Sequence, residues 1–85
     1  MFKNKGANGK SNISGANIKR IRCELEPKTS QRELADRLQL YGLDIDKNAV
    51  QRIESGQRFV TDIELKAIAK VLQVSIEILL DEEEE

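Results

Sequence analysis

The sequence predicts an all-α fold, a compact bundle of five helices, and three observations support this prediction. From Asn17 to Leu80, Ile, Leu and Val recur at helical spacing, and no stretch alternates with the two-residue period of a strand. Ser30, Asp46, Thr61 and Ser75 are helix-capping residue types, and each precedes an apolar run of helical spacing. The chain has 85 residues, which is enough for one small domain.

The first helix is predicted from Ser14 or Asn17 to Leu25. Its isoleucines share one apolar face, and Pro27 ends it because the residue before a proline avoids helical geometry. The second helix begins at Ser30, the first residue of a Ser-x-x-Glu capping box.

Later in the chain, Gly42 is expected to end the second helix in a left-handed conformation. The third helix is predicted between Asp46 and Gly56, and the short fifth helix from Ser75 to Leu80. The fourth helix starts at Thr61, and its apolar residues occupy most of its circumference, which is typical of a central helix. These apolar residues are Ile63, Leu65, Ala67, Ile68, Ala69, Val71 and Leu72.

Composition excludes several classes of protein. One cysteine and no histidine exclude a disulfide framework within the chain and a zinc site with several Cys or His ligands. They also remove the commonest general base, and no glycine-rich phosphate loop follows a strand. We therefore expect no enzyme, no metal and no cofactor.

No apolar run reaches the roughly 20 residues that cross a bilayer, and no signal peptide is apparent, so we expect a cytoplasmic protein without membrane contact.

Charge is unevenly distributed along the chain. The net charge is −1, but all five residues of 81–85 are acidic, which leaves 14 basic and 10 acidic side chains before them, a balance of +4. Residues 1–16 are rich in Gly, Asn, Ser and Lys and have few apolar side chains. We therefore predict a disordered basic arm over residues 1–16, a folded domain over residues 17–80 and an acidic tail over residues 81–85.

One side of the third helix is polar and lacks acids. At about 100° per residue, Val50 and Ile53 point to one side, and the polar side chains fall within about 140° on the other. These side chains, called the polar face below, are Lys47, Asn48, Gln51, Arg52 and Ser55. Asn and Gln pair with adenine in the major groove of DNA, and Arg and Lys pair with guanine. These residue types suit a polyanion with readable edges, although taken alone a merely solvated helix face is the commoner explanation. The start of the second helix, Ser30-Gln31, favours the polyanion, because it would place free backbone amides and a glutamine where a phosphate can bind.

Four segments of the chain resemble one family. Ser30–Ala35 followed by Ala49–Gly56 is similar to the helix-turn-helix of the Cro/XRE-type phage-repressor family. Ile18–Arg22 resembles the first helix of that family, and Ile63–Leu80 resembles its last two. The resemblance covers about residues 17–80 and implies a lambda-repressor-like DNA-binding domain whose third helix enters the major groove of operator DNA. It also implies a transcriptional regulator, most often a repressor, that binds double-stranded DNA sequence-specifically as a homodimer.

The resemblance further implies roles for individual residues. Bases would be contacted by Lys47, Asn48, Gln51 and Arg52. Phosphates would be contacted by Ser30, Gln31, Ser55 and Arg58. Arg22 and Glu54 would form a partly buried ion pair between the first helix and the end of the third, and Arg22 does lie beside the apolar face of its helix.

The sequence departs from the family pattern in the turn between the second and third helices, which is longer than in the simplest members and carries Asp44. Together with the weak net charge and the acidic tail, Asp44 favours a second hypothesis. In that hypothesis the chain is a protein-interaction module, such as an antitoxin or an adaptor, and its partner is a protein.

Two roles are open for each end of the chain. Lys3, Lys5 and Lys10 of the arm either lie along DNA or form a tail without a role, and the acidic tail either improves solubility or covers the cations.

Overall fold

The computed structural model describes residues 9–82, which form five helices and no strand. The helices are α1 (Gly15–Glu24), α2 (Gln31–Leu40), α3 (Lys47–Glu54), α4 (Asp62–Leu72) and α5 (Ile76–Leu80). The predicted all-α fold is confirmed. None of these helices has the length and apolar character needed to cross a membrane. The predictions made for Lys3, Lys5 and the end of the acidic tail lie outside the described residues.

Four helices begin at the predicted capping residues. The Ser30 hydroxyl accepts a hydrogen bond from the Glu33 amide, and the Glu33 carboxylate accepts one from the Ser30 amide, both at 3.0 Å. Thr61 and Glu64 form the same reciprocal pair at the start of α4. Asp46 caps α3, and Ser75 caps α5. Side chains thus satisfy amides that the first turn of each helix leaves without a partner.

The lengthened turn between α2 and α3 is anchored in the core. Gly42 has a φ of +83°, and its amide donates to the Gln39 carbonyl while the Leu43 amide donates to the Leu38 carbonyl. This is the predicted left-handed end of α2. Ile45 then turns inward and is fully buried, and the Gln39 side chain donates to the Ile45 carbonyl at 3.1 Å. The extra residues therefore extend the turn while an apolar side chain holds it against the bundle.

The core lies between all five helices, with α2 against α3 and α4, and α1 against α3, α4 and α5. Its side chains include Ile18, Leu34, Leu38, Ile45, Val50, Ile53, Ile68, Leu72 and Leu79. The expectation that apolar contacts surround α4 is wrong at Ile63, which is 71% exposed. At 100° per residue Ile63 lies opposite Leu72, which faces the core, so its side of the helix meets solvent.

Residues 11–16 belong to the fold and are not part of a disordered arm. The Ser11 amide donates to the Gly56 carbonyl at 2.7 Å, Ser14 is buried, and α1 already begins at Gly15. A Cβ atom at Gly15 would collide with the Ile53 carbonyl oxygen. Gly15 thus allows the start of α1 to lie close to the end of α3. The polar composition of residues 11–16 gives no indication of this packing.

The C-terminal end of the described chain is also tied to α1. The Asn17 side-chain amide donates to the Leu79 carbonyl at 3.0 Å and to the Asp81 carbonyl at 2.7 Å. These two bonds satisfy carbonyls at the end of α5, which is too short to be stable without tertiary contacts.

Gly15→Ala is expected to destabilise the protein, because the added methyl group would force α1 away from α3. Overpacking of this kind costs about 1–3 kcal/mol of unfolding free energy. Urea denaturation followed by circular dichroism measures the change. Lys19→Ala, at an exposed position of the same helix, is the control and should change stability by less than about 0.5 kcal/mol. Equal stability of Gly15→Ala and the parent protein would contradict the close approach.

Candidate nucleic-acid interface

The polar face of α3 is presented to solvent. Its five side chains are all exposed, whereas Val50 and Ile53 on the other side of the helix are each 1% exposed. Asn48, Gln51, Arg52 and Ser55 line an open depression of about 260 Å³ together with Gln57, which follows the end of the helix. Gln57 could not be predicted from the helical period, because it lies beyond the end of α3. The surface offers amide, hydroxyl and cationic groups without a carboxylate among them.

The only acid of α3, Glu54, is buried against α1. The Arg22 Nε atom donates to Glu54 Oε2 at 2.7 Å, and Arg22 Nη2 donates to Glu54 Oε1 at 3.0 Å. The two side chains are 7% and 3% exposed, and the hydrogen bonds from Arg22 to Glu54 raise the pKa of the guanidinium above its ordinary value. The one negative charge of α3 is therefore turned away from the polar face and neutralised.

Two further groups complete this buried cluster. Arg22 Nη1 donates to the Thr29 carbonyl at 2.9 Å, and Gln31 Nε2 donates to Glu54 Oε1 at 2.9 Å. The cluster thus connects α1, the loop after it, the start of α2 and the end of α3. Gln31 is brought beside α3, and one of its amide hydrogens is used by Glu54.

The start of α2 carries an anion as well as free amides. The capping box uses the amides of Ser30 and Glu33, so the first-turn amides of Gln31 and Arg32 have no intrahelical partner. The hydrogen bond from the Ser30 amide lowers the pKa of the Glu33 carboxyl, which stays charged at neutral pH. Any phosphate that approaches this turn would meet the exposed Arg32 together with Gln31, and sequence reasoning did not single out Arg32.

Arg58 is engaged in the loop between α3 and α4. Its Nη1 and Nη2 atoms donate to Glu64 Oε1 and Oε2, both at 3.0 Å, and Nη1 also donates to the Phe59 carbonyl. These bonds lower the pKa of the Glu64 carboxyl, with a further contribution from the Thr61 amide. No helical spacing relates residues 58 and 64, so the sequence gives no indication of this pair. The remaining predicted phosphate contact, Ser55, is exposed, and its hydroxyl donates to the Arg52 carbonyl at 3.2 Å.

Glu54→Ala is expected to destabilise the fold by about 3–5 kcal/mol, because Arg22 would keep a buried charge without its partner. Chemical denaturation at neutral pH measures the loss. The control is Glu24→Ala, which removes an exposed ion pair with Arg20 and should cost less than about 1 kcal/mol. Similar small losses in both variants would show that the buried pair is not a structural requirement.

Glu64→Gln is expected to change the dependence of stability on pH. The folded-state pKa of Glu64 lies below its ordinary value of 4.5, so its stabilising contribution is complete above that value and is lost as pH falls through the folded-state pKa. The stability difference between the parent and Glu64→Gln should therefore be largest near neutral pH and shrink below about pH 4.5. Urea unfolding at a series of pH values measures it, and in an Arg58→Gln background the pH-dependent part should decrease. If the stability difference between the parent and Glu64→Gln stays constant with pH, the pairing with Arg58 does not lower the pKa of Glu64.

Comparison with known proteins agrees with this geometry. A family model described as helix-turn-helix matches residues 18–79, from α1 to α5 and well over half of the chain. No curated protein and no solved structure matches the chain significantly. The match includes the buried cluster and the whole polar face of α3. The chain therefore belongs to the Cro/C1-type helix-turn-helix family, the XRE family of DNA-binding regulators.

Proposed function

We propose that this protein is a cytoplasmic transcriptional repressor, without enzymatic activity, that binds double-stranded DNA sequence-specifically with the polar face of α3 in the major groove. One observation carries the proposal. The polar face is exposed to solvent and bears Lys47 and Arg52, whereas Glu54, the only acid of α3, is buried and paired with Arg22. A DNA duplex carries about one negative charge per 1.7 Å of its axis, so a surface cleared of anions in this way is suited to approach it.

The residues of the site divide into two roles. Base edges are contacted by Lys47, Asn48, Gln51 and Arg52, whose groups match the donors and acceptors of the major groove. Phosphates are contacted by Ser30, Gln31 and Ser55, which fix the register without reading sequence. Arg58 contributes through Glu64, because it holds the loop that follows α3.

The repressor acts as a homodimer on DNA in this proposal. Ile78 and Leu80 on α5 are 46% and 41% exposed, and they supply an apolar surface that a second copy would cover. With two-fold symmetry, the two copies of α3 would enter successive major grooves on one side of the duplex, at half-sites about one helical turn apart.

Arg52→Ala is expected to weaken binding to the preferred site by about 1–3 kcal/mol and to relax the choice of base there. The preferred site is first obtained by selection from a random duplex pool. Fluorescence anisotropy then measures affinity for that site and for a scrambled duplex. Equal losses on both duplexes would show that Arg52 contacts only the backbone.

Lys66→Ala is the matched control, since it also removes a cation but lies on α4, which packs against α1, α2 and α5. It should leave affinity nearly unchanged. A second arm of the experiment uses random duplex at low and at high salt. Binding should be detected at low salt and lost at high salt, because the release of counterions from DNA is less favourable when the salt concentration is high. Absence of any duplex binding at micromolar protein would favour the alternative function, a module that binds a protein partner, such as an antitoxin or an adaptor.

A further inference from the structure

The segment Lys10–Asn12, called the N-terminal strap below, lies across the C-terminal end of α3. The Ser11 amide donates to the Gly56 carbonyl at 2.7 Å. The Asn12 side-chain amide donates to the Ile53 carbonyl at 3.0 Å and to the Arg58 carbonyl at 2.7 Å. The strap therefore connects the last turn of α3 with the loop that follows it.

Asn12 is fixed on its other side as well. Its Oδ1 atom accepts a hydrogen bond from the Gly15 amide at 2.7 Å, at the first residue of α1. Both hydrogens of the side-chain amide and its oxygen are thus used, which leaves one orientation of the side chain. Asn12 is bound to α1, α3 and the loop after α3 at once. The chain just before it, including Lys10, therefore has a defined position on the surface.

Lys10 is placed at the edge of the polar face. A Cβ atom built on Gly56 would come within 2.7 Å of Lys10 Cδ and 2.8 Å of Lys10 Cγ, so the aliphatic part of the lysine rests on Gly56. Gly56 lies between Ser55 and Gln57, both of which line the depression beside the polar face. Lys10 is exposed, and it takes no part in the ion pairs formed between the described residues.

We propose that Lys10 is a DNA-contacting residue, which the N-terminal strap holds at the end of α3 so that its ammonium group binds a backbone phosphate. The inference rests on the proposed DNA-binding function. Arg58, the cation of the adjoining loop, uses three of its five donor hydrogens in bonds to Glu64 and the Phe59 carbonyl, and the Glu64 carboxylate offsets its charge. Lys10 has no such carboxylate partner among residues 9–82. Asn12 is a positioning residue in this arrangement, because it acts through the placement of Lys10.

A purely structural role for Lys10 makes a different prediction. A cation near the C-terminal end of a helix interacts favourably with the helix dipole, which would stabilise the fold without any contact to DNA. The two roles are separated by the salt dependence of DNA binding, because only a phosphate contact adds a released counterion.

The experiment measures the dissociation constant of the full chain for its selected duplex and for a random duplex over a series of NaCl concentrations. Lys10→Gln keeps most of the side chain and removes the charge. It is expected to reduce the slope of log affinity against log salt by about 0.9 and to weaken binding about eightfold at 0.1 M salt on both duplexes. Lys70→Gln, the same change on an exposed position of α4, is the control and should leave the slope unchanged.

Asn12→Ala tests the positioning. It is expected to reduce the slope as much as Lys10→Gln does, and adding Lys10→Gln to it should produce no further reduction. Thermal unfolding of every variant ensures that binding is measured on folded protein. A further full reduction in the double variant would show that Asn12 does not position Lys10.

The outcomes distinguish this inference from the function on which it rests. If the parent protein binds no duplex, the proposed function itself is overturned. If the parent binds and Lys10→Gln keeps its salt slope, DNA binding stands and the phosphate contact of Lys10 is overturned. A lower melting temperature with an unchanged slope would assign Lys10 to helix stabilisation alone.

Discussion

The bidentate hydrogen bond between Arg22 and Glu54 is the interaction on which the polar face depends. Replacing a buried ion pair by apolar residues is often neutral for stability, so the value of this pair lies mainly in the geometry it enforces. The Thr29 carbonyl and the Gln31 side chain satisfy further groups of the pair, and among residues 9–82 no buried side-chain nitrogen or oxygen lacks a partner. The cluster therefore fixes the end of α3 relative to α1 and α2, and it keeps the carboxylate away from the polar face.

The features that could be predicted from sequence are those in which the signal is local. Ser30 with Glu33 and Thr61 with Glu64 stand at the spacing of a capping box, and each pair marks the start of a helix in the structure. The exposure of the polar face could also be predicted, because Val50 and Ile53 fix which side of a short helix faces the core. Local periodicity thus gives the helices and the orientation of α3.

The features that could not be predicted join residues that are distant in sequence or follow no helical period. Asn12 contacts carbonyls 41 and 46 positions away, and nothing in a polar, glycine-containing segment distinguishes such an asparagine from one in a disordered arm. Arg58 has a charge suited to phosphate, yet the turn into α4 brings Glu64 to it. Ile63 is apolar but faces solvent. Its exposure could not be predicted, because the apolar residues of α4 surround most of the helix and do not show which side the other helices cover. Tertiary contacts decide each of these cases.

The two hydrogen bonds from Asn17 to the end of α5 bring both ends of the described chain to the same helix. Asn12 lies just before α1, and Asp81 is bonded to its first turns. Chain ends that lie together at a surface are the arrangement in which circular permutation is tolerated. A permuted form of the described chain, in which a linker joins the residues before Asn12 to those after Asp81 and new ends are opened in the exposed turn at Gly42, is therefore expected to retain the order of packing in the bundle.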